Sequence, residues 1–334
     1  DLVGYLQRAI GYMLTGDSRE HVVFVFHGAG CNGKTTLVET GKQLLGGLAA
    51  TAPFETFTRA RFDRSPRNDI ARLHRSRLVI ASESGAGNKL DEATVKNLSG
   101  SDTISARFLY GEFFEFKPQF KIVLVSNHKP QVDGSDDAIW RRIRLIPFNV
   151  SFEGREDRDL AAKLERELPG ILAWAVQGCL QWQQHGLGTV ATVDRATGDY
   201  RAEEDTLGAF IADRCTLTGT AITADIRQAY EAYCAETGEK PLAAGQLTRQ
   251  LKKRRIEPKP GRVRTYHGIS LREPNDDSNR SDDGKEGVSV TPLTRAGVRE
   301  VSENTVIECH PSSQPDDDDL DNSSKHADIA AGQA

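Results

Sequence analysis

Three apolar, β-branched runs punctuate the first half of the chain, at residues 22–26, 78–81 and 122–125. None shows the in-out alternation of a strand wetted on one face. Each therefore predicts a strand buried on both sides, as in a parallel sheet covered by helices. Apolar residues between the runs recur at helical spacing: Leu2, Val3, Leu6, Ile10 and Leu14 before the first, Leu37, Val38, Gly41, Leu44 and Leu45 after it, and Leu90, Ala93, Val95 and Leu98 after the second. Gly16-Asp17, Gly46-Gly47 and Ser99-Gly100 supply the stops. Ile104, Ala106 and Phe108 face Phe113, Phe114 and Phe116 across Tyr110-Gly111-Glu112, which predicts a hairpin. The polar stretch 51–70 reads as a surface loop with a short helix, and a helix-like turn at 136–140 leads into a strand near 143–148.

The second half turns helical. Leu160, Leu164, Leu168, Ile171, Leu172, Trp174, Ala175 and Leu180 trace helical faces, broken near Pro169-Gly170 and ended by Gly186 and Gly188. Residues 189–206 read as a polar helical connector. Helices over 207–215, 223–237 and 243–255 then precede a hairpin within 256–271, an order that resembles a winged helix. Strands alternating with helices predict an α/β class with helical flanks.

Chemistry enters where the first strand ends. It breaks into Gly28-Ala29-Gly30-Cys31-Asn32-Gly33-Lys34-Thr35, followed by Thr36 and a helix. This is GxxxxGK[ST] between a strand and a helix, the setting of a phosphate-binding loop. Glycines let backbone N–H groups close on phosphate oxygens, and the helix N-terminus favours the same anion. Lys34 is expected to reach the β- and γ-phosphates of ATP, and Thr35 to offer its hydroxyl to Mg²⁺. Glu83, at the end of the second strand, is expected to hold the Mg²⁺ shell or polarise the attacking water, with Asp91 or Glu92 as possible helpers. Asn127, ending the third, is placed to sense the γ-phosphate. Arg141 and Arg142 read either as a solvated rim or as an arginine finger reaching a neighbouring subunit.

Charge refines the choice of partner. The net charge of −5 hides an uneven chain: residues 276–334 hold 14 Asp/Glu against 5 Lys/Arg, leaving the first 275 residues at +4. The acidic end, with Asp316 to Asp319, is too polar to bury a core and reads as disordered. Lys252, Lys253, Arg254, Arg255, Lys259, Arg262 and Arg264 crowd the last helix and wing, an electrostatic footprint for duplex DNA; a solvated helix end is the plainer alternative. Lys96 with Arg107, Phe108 and Tyr110 at the hairpin could grip a single strand by charge and stacking, unless the rings simply pack on the sheet. Five scattered cysteines without a CxxC pair argue against a disulfide framework or zinc site and fit a reducing cytoplasm. No apolar span is long enough to cross a membrane.

Taken in order and spacing, "GAGCNGKTT", "RLVIASESG", "KNLSGSDTISARFLYGE", "KIVLVSNHKP" and "DDAIWRRIRLIPF" resemble the superfamily 3 helicases, most of all the C-terminal helicase half of phage and plasmid primase-helicases related to the poxvirus primase-helicase. The resemblance covers residues 1–272. It implies an AAA+-like P-loop ATPase working as a hexameric ring on single-stranded DNA, with a primase domain ahead of residue 1. It implies Walker A roles for Lys34 and Thr35, a Walker B role for Glu83, a sensor role for Asn127, DNA gripping by Lys96 and the hairpin, and a finger role for Arg142, with Arg141 as alternate. It divides the chain into a helical segment (1–20), an ATPase domain with helical lid (21–190), a connector (191–206), a winged-helix domain (207–273) and a disordered tail (274–334). The solitary Glu83, where several viral relatives have paired acids, leaves the water-activating residue open. An ATP-binding replication initiator without unwinding activity, or a small-molecule P-loop kinase, are the rival readings.

Overall fold

A computed structural model of the chain describes residues 2–59, 68–83, 85, 87–132 and 136–272. The acidic stretch 274–334 lies outside them. Along the chain run α1 (Leu2–Met13), β1 (Val23–His27), α2 (Lys34–Leu45), β2 (Ala49–Thr51), α3 (Asn68–Ala71), β3 (Leu78–Ser82), α4 (Glu92–Leu98), β4 (Ile104–Arg107), β5 (Phe113–Phe116), β6 (Lys121–Ser126), α5 (Asp137–Trp140), β7 (Ile143–Pro147), α6 (Leu160–Arg166), α7 (Leu168–His185) and α8 (Ala191–Glu203). Next come α9 (Thr206–Arg214), β8 (Cys215–Thr216), β9 (Thr220–Ile222), α10 (Thr223–Thr237), α11 (Ala244–Lys253), β10 (Glu257–Lys259), β11 (Thr265–His267) and β12 (Ser270–Leu271).

The centre is a parallel five-stranded sheet in the order β2-β3-β6-β1-β7. Its strands are apolar throughout because both faces are covered. Val23, Val25, Val79, Ala81, Ile122 and Leu124 enter one core layer with Phe54, Phe57, Leu98 and Trp140. Phe24, Phe26, Leu78, Ile80, Val123 and Val125 enter the opposite layer with Tyr5, Tyr12, Val38 and Trp182. Period-two alternation thus sorts each strand between two cores that hydropathy alone merges into one run.

Two expectations need correction, and one is located more closely. Within 51–70, Phe54 and Phe57 are buried, so this part is no surface loop: its aromatics fill the core beneath α4. The break expected near Pro169-Gly170 falls at Glu167, between α6 and α7, and the proline opens the second helix instead of lying inside a continuous one. It sits in the first turn of α7, where its missing N–H costs nothing. The segment 191–206 is more than a connector, because α8 packs on β7, buries Tyr200 against Trp140, and accepts the Leu145 N–H at Thr197 Oγ1 (3.0 Å).

Beyond α8, the helices α9, α10 and α11 enclose a separate small core of Leu207, Phe210, Ile226, Tyr230, Leu247, Leu251 and Tyr266. An antiparallel sheet in the order β10-β11-β9 flanks it, and β12 pairs with β8. The added strand β9 is too short to show in the hydropathy pattern.

Candidate nucleotide site and nucleic-acid surfaces

Strand polarity builds the candidate site. β1, β6 and β3 are parallel and adjacent in that order, so their C-terminal ends share one sheet edge. β1 opens into the phosphate loop, β6 into Asn127 and β3 into Glu83. The register sets His27 beside Ser126 and Ser82 beside Val125, whose carbonyl accepts the Glu83 N–H at 2.9 Å. At about 5 Å per strand step, the carboxylate lies roughly 10 Å across the edge from the start of the loop.

The loop is shaped from within. Lys34 is buried, and its Nζ donates to Gly28 O (2.7 Å), Ala29 O (3.1 Å) and Asn32 Oδ1 (2.9 Å). Burial holds its pKa below the usual lysine value. Asn32 Nδ2 donates to Phe148 O at 2.9 Å, tying the loop to the chain after β7. Gly28 is required by close approach, since a side chain there would run into the Phe148 carbonyl and the Asn32 amide. Gly33 takes φ 84° just before α2, which only glycine adopts without strain. Ala29, Gly30, Cys31 and Thr35 are exposed and Thr36 half-buried.

Glu83 is enclosed, its side chain only 3% exposed. Ser126 Oγ donates to its Oε2, Asn88 Nδ2 donates to Oε1 at 3.3 Å, and the His128 N–H approaches Oε2 at 3.4 Å. Ser126, Asn88 and His128 went unnoticed in the sequence, because nothing about a serine, asparagine or histidine there marks it as a neighbour of Glu83. Asp91 and Glu92 do not join: Asp91 caps α4 through the Thr94 N–H (3.3 Å), and Glu92 is a buried residue of that helix. Asn127 is exposed at the edge. Beside it, burial and the nearby Lys129 and Lys34 charges hold the His27 imidazole below its ordinary pKa. Among the described residues no cluster of three or more His, Cys, Asp or Glu is arranged to hold a metal. A Mg²⁺ ion would therefore depend on phosphate oxygens beside the Thr35 hydroxyl and Glu83, the usual economy of magnesium sites.

Arg141 and Arg142 stand at the opposite edge. β7 runs parallel to β1 with Ile143 beside Val23, and Val23 N–H donates to Arg142 O at 2.8 Å. Arg142 folds back on its own chain, donating from Nη1 to Ala138 O at 3.0 Å with Nε enclosed. Arg141 is exposed. The expected priority of Arg142 is thus reversed in accessibility.

The hairpin divides its residues. Phe108 stacks on Phe114 (centroids 5.5 Å apart), which stacks on Phe116, and His74 meets all three rings edge-on. Phe108 thus packs through one side of its ring and stays 41% exposed. Arg107 lies over the Phe113 ring at 4.9 Å. Tyr110 is 99% exposed at a positive φ of 62°, a conformation unfavourable for an aromatic residue. Lys96 is tied to Asp136, with Glu92 at 3.9 Å, so it is not the open DNA contact expected. In the C-terminal unit Lys252, Lys253, Arg255, Lys259, Arg262 and Arg264 are exposed, whereas Arg254 is engaged by Asp205.

Comparison with known proteins adds kinship. The model of a family of unknown function (DUF5906) matches residues 26–142, which hold the loop, Glu83, the hairpin, Asn127 and both arginines. A protein of Acanthamoeba polyphaga mimivirus named "Putative helicase L207/L206" is 30% identical over 228 residues, 63% of this chain and 24% of its own length. Primase D5 of fowlpox virus is 25% identical over 151 residues, 44% of this chain and 19% of its own. The chain thus spans a quarter or less of the length of these two relatives. Among solved structures, an apo form of the NrS-1 C-terminal region shares the fold with a TM-score of 0.52 at 14% identity, covering 79% of this chain and 70% of that one. Among the described residues no helix is long and apolar enough to cross a membrane.

Proposed function

We propose that this chain, a relative of the viral helicase and primase proteins and of superfamily 3 type, is an ATP-driven motor on DNA. The observation that carries this reading is the shared sheet edge of Lys34, Asn127 and Glu83, with Asn127 between the other two. A triphosphate in the loop would draw Lys34 Nζ from the Gly28 and Ala29 carbonyls to its β- and γ-oxygens, exchanging weak acceptors for an anion. Glu83, already oriented by Ser126, Asn88 and the His128 N–H, would take the proton of the attacking water or hold it in line. Asn127 would donate to the γ-phosphate or that water. Mg²⁺ beside Thr35 would offset the charge developing on the phosphoryl group.

The arginines require a second protomer. β1 spans five residues at about 3.3 Å each, so Arg141 lies roughly 15 Å along the strand from its own loop. Arg141, the exposed one, would complete the site of a neighbour in a closed ring, most simply a hexamer as the resemblance implies. Arg107 and Tyr110 on the hairpin would then follow a single strand, and the winged-helix-like C-terminal unit would meet duplex DNA through Lys252, Arg255, Arg262 and Arg264. A primase domain elsewhere in the full protein fits the same role.

The test is ATP hydrolysis with and without single-stranded DNA, alongside strand displacement on a tailed duplex. Wild-type protein should hydrolyse ATP faster with DNA present and displace the strand. Glu83→Gln should bind ATP but lose at least about 100-fold in hydrolysis. DNA-indifferent hydrolysis without displacement would sink the motor reading in favour of an initiator or a kinase.

A further inference from the structure

The chain leaving β7 stays against the phosphate loop. Phe148 N–H donates to His27 O at 2.7 Å, and its carbonyl accepts Asn32 Nδ2 at 2.9 Å. Further on, Phe152 N–H donates to Cys31 O at 2.7 Å. Residues 148–152 therefore form a strap along the β7 side of the loop. The Phe152 ring is its closest side-chain neighbour at Gly33, with Cε2 4.0 Å from where a Cβ would stand.

Two large apolar side chains on this strap are left open: Val150 is 61% and Phe152 46% exposed. Lone exposed hydrophobes are common on protein surfaces. These two stand on a strap that the backbone bonds of Phe148 and Phe152 hold against the phosphate loop. The edge also has a direction. Glu83 and Asn127 lie on β3 and β6, on the other side of β1 from the strap. The end of a triphosphate that is to be cleaved must face them. Its nucleoside end must then leave the loop towards β7, over residues 148–152.

We infer that Val150 and Phe152 form the seat for the nucleotide's base, with the Phe152 ring stacking on its π face; this rests on the nucleotide reading of the loop. Stacking on a ring selects by area rather than by edge hydrogen bonds. Purine triphosphates are therefore preferred over pyrimidine ones, and ATP and GTP are poorly distinguished by this contact.

The experiment titrates ATP, GTP, CTP and inorganic tripolyphosphate into the full 334-residue chain by calorimetry, for wild type, Lys34→Ala, Phe152→Ala and Phe152→Trp. Phe152→Ala should weaken ATP roughly 10- to 100-fold, the usual scale of base stacking, while leaving tripolyphosphate unchanged. Phe152→Trp should keep ATP affinity, with fluorescence quenched by ATP and not by tripolyphosphate. Unchanged ATP affinity in Phe152→Ala overturns the inference and leaves the loop reading intact, as does loss of self-association alone, which would make the strap a subunit contact. Equal loss of ATP and tripolyphosphate in Phe152→Ala overturns it too, since the variant would then have distorted the loop. Wild-type protein that binds neither ligand overturns the loop reading itself.

Discussion

Arg254, just past α11, donates from Nη2 to both carboxylate oxygens of Asp205, at 2.7 and 2.5 Å. Asp205 also caps α9 by accepting the Gly208 N–H at 2.9 Å. The residues just before it grip the sheet edge: Glu204 accepts the Val132 N–H at 2.9 Å, and Glu203 pairs with Lys129 at 2.6 Å. This junction joins the segment behind Asn127 to the C-terminal unit. Asp205→Ala should therefore cost about 2–3 kcal/mol, a cap plus a charge-assisted pair, read by denaturant unfolding. Arg254→Ala should lower stability while leaving DNA affinity and its salt slope unchanged. Arg262→Ala should do the reverse, reducing the slope by about one. A salt slope altered by Arg254→Ala would make that residue a phosphate contact after all.

The two neighbouring arginines should separate in kinetics. Arg141→Ala is expected to lower kcat by about 10³-fold in self-associated protein while leaving ATP affinity intact. Doping Arg141→Ala protomers that retain their loop into Lys34→Ala protomers that retain the arginine should restore some hydrolysis. Arg142→Ala should instead show mainly as a lower melting temperature, because its guanidinium holds the Ala138 carbonyl. Full hydrolysis by Arg141→Ala would exclude it as the finger.

Lys121, at the start of β6, is enclosed at the end of α1. Its Nζ donates to the Thr15 and Asp17 carbonyls, the latter at 3.2 Å, and lies 4.6 Å from the Tyr12 ring centre. Burial, aided by the Arg77 charge, pushes its pKa from 10.5 down to about 7. The unfolded chain then binds the extra proton between about pH 7 and 10.5. Its contribution to stability is complete above the upper value and is lost as the pH falls through the lower one. Melting temperature should thus rise with pH from 7 to about 10. Lys121→Met should flatten that rise, and an identical slope in the variant would discount Lys121 as its source.

Helices α1 and α7 touch backbone to backbone. A side chain on Gly178 would fall on the Gln7 carbonyl, and one on Gly11 would meet Cys179 N and Ala175 O. Gly178→Ala should cost more than the usual ~1–3 kcal/mol of overpacking, since backbone rather than a flexible side chain must yield. Ala175→Gly, at the same crossing, should cost about 2 kcal/mol, the propensity loss of glycine in a helix plus that of one buried methyl. Chemical denaturation of the pair checks both.

Local order wrote most of the site into the chain. The loop from Gly28 to Thr35 could be read directly, because its chemistry depends on residues adjacent in sequence. Glu83 and Asn127 were readable as strand ends, because a buried strand announces itself by an unbroken apolar run and its next polar residue marks the edge. The hairpin and the helices α9, α10 and α11 followed from period and turn residues alone. What the sequence could not express is which strand lies beside which. The order β2-β3-β6-β1-β7 brings Ser126 to Glu83, puts the Phe152 strap beside Cys31, and sends Arg141 to the far edge. It also spends charges that looked available: Lys96 on Asp136, Arg254 on Asp205 and Arg142 on Ala138. Hydropathy and spacing act over a few residues along the chain, whereas these pairings join residues 40 to 121 positions apart, apart from the local turn of Arg142. Only the packed sheet determines whether such distant groups meet.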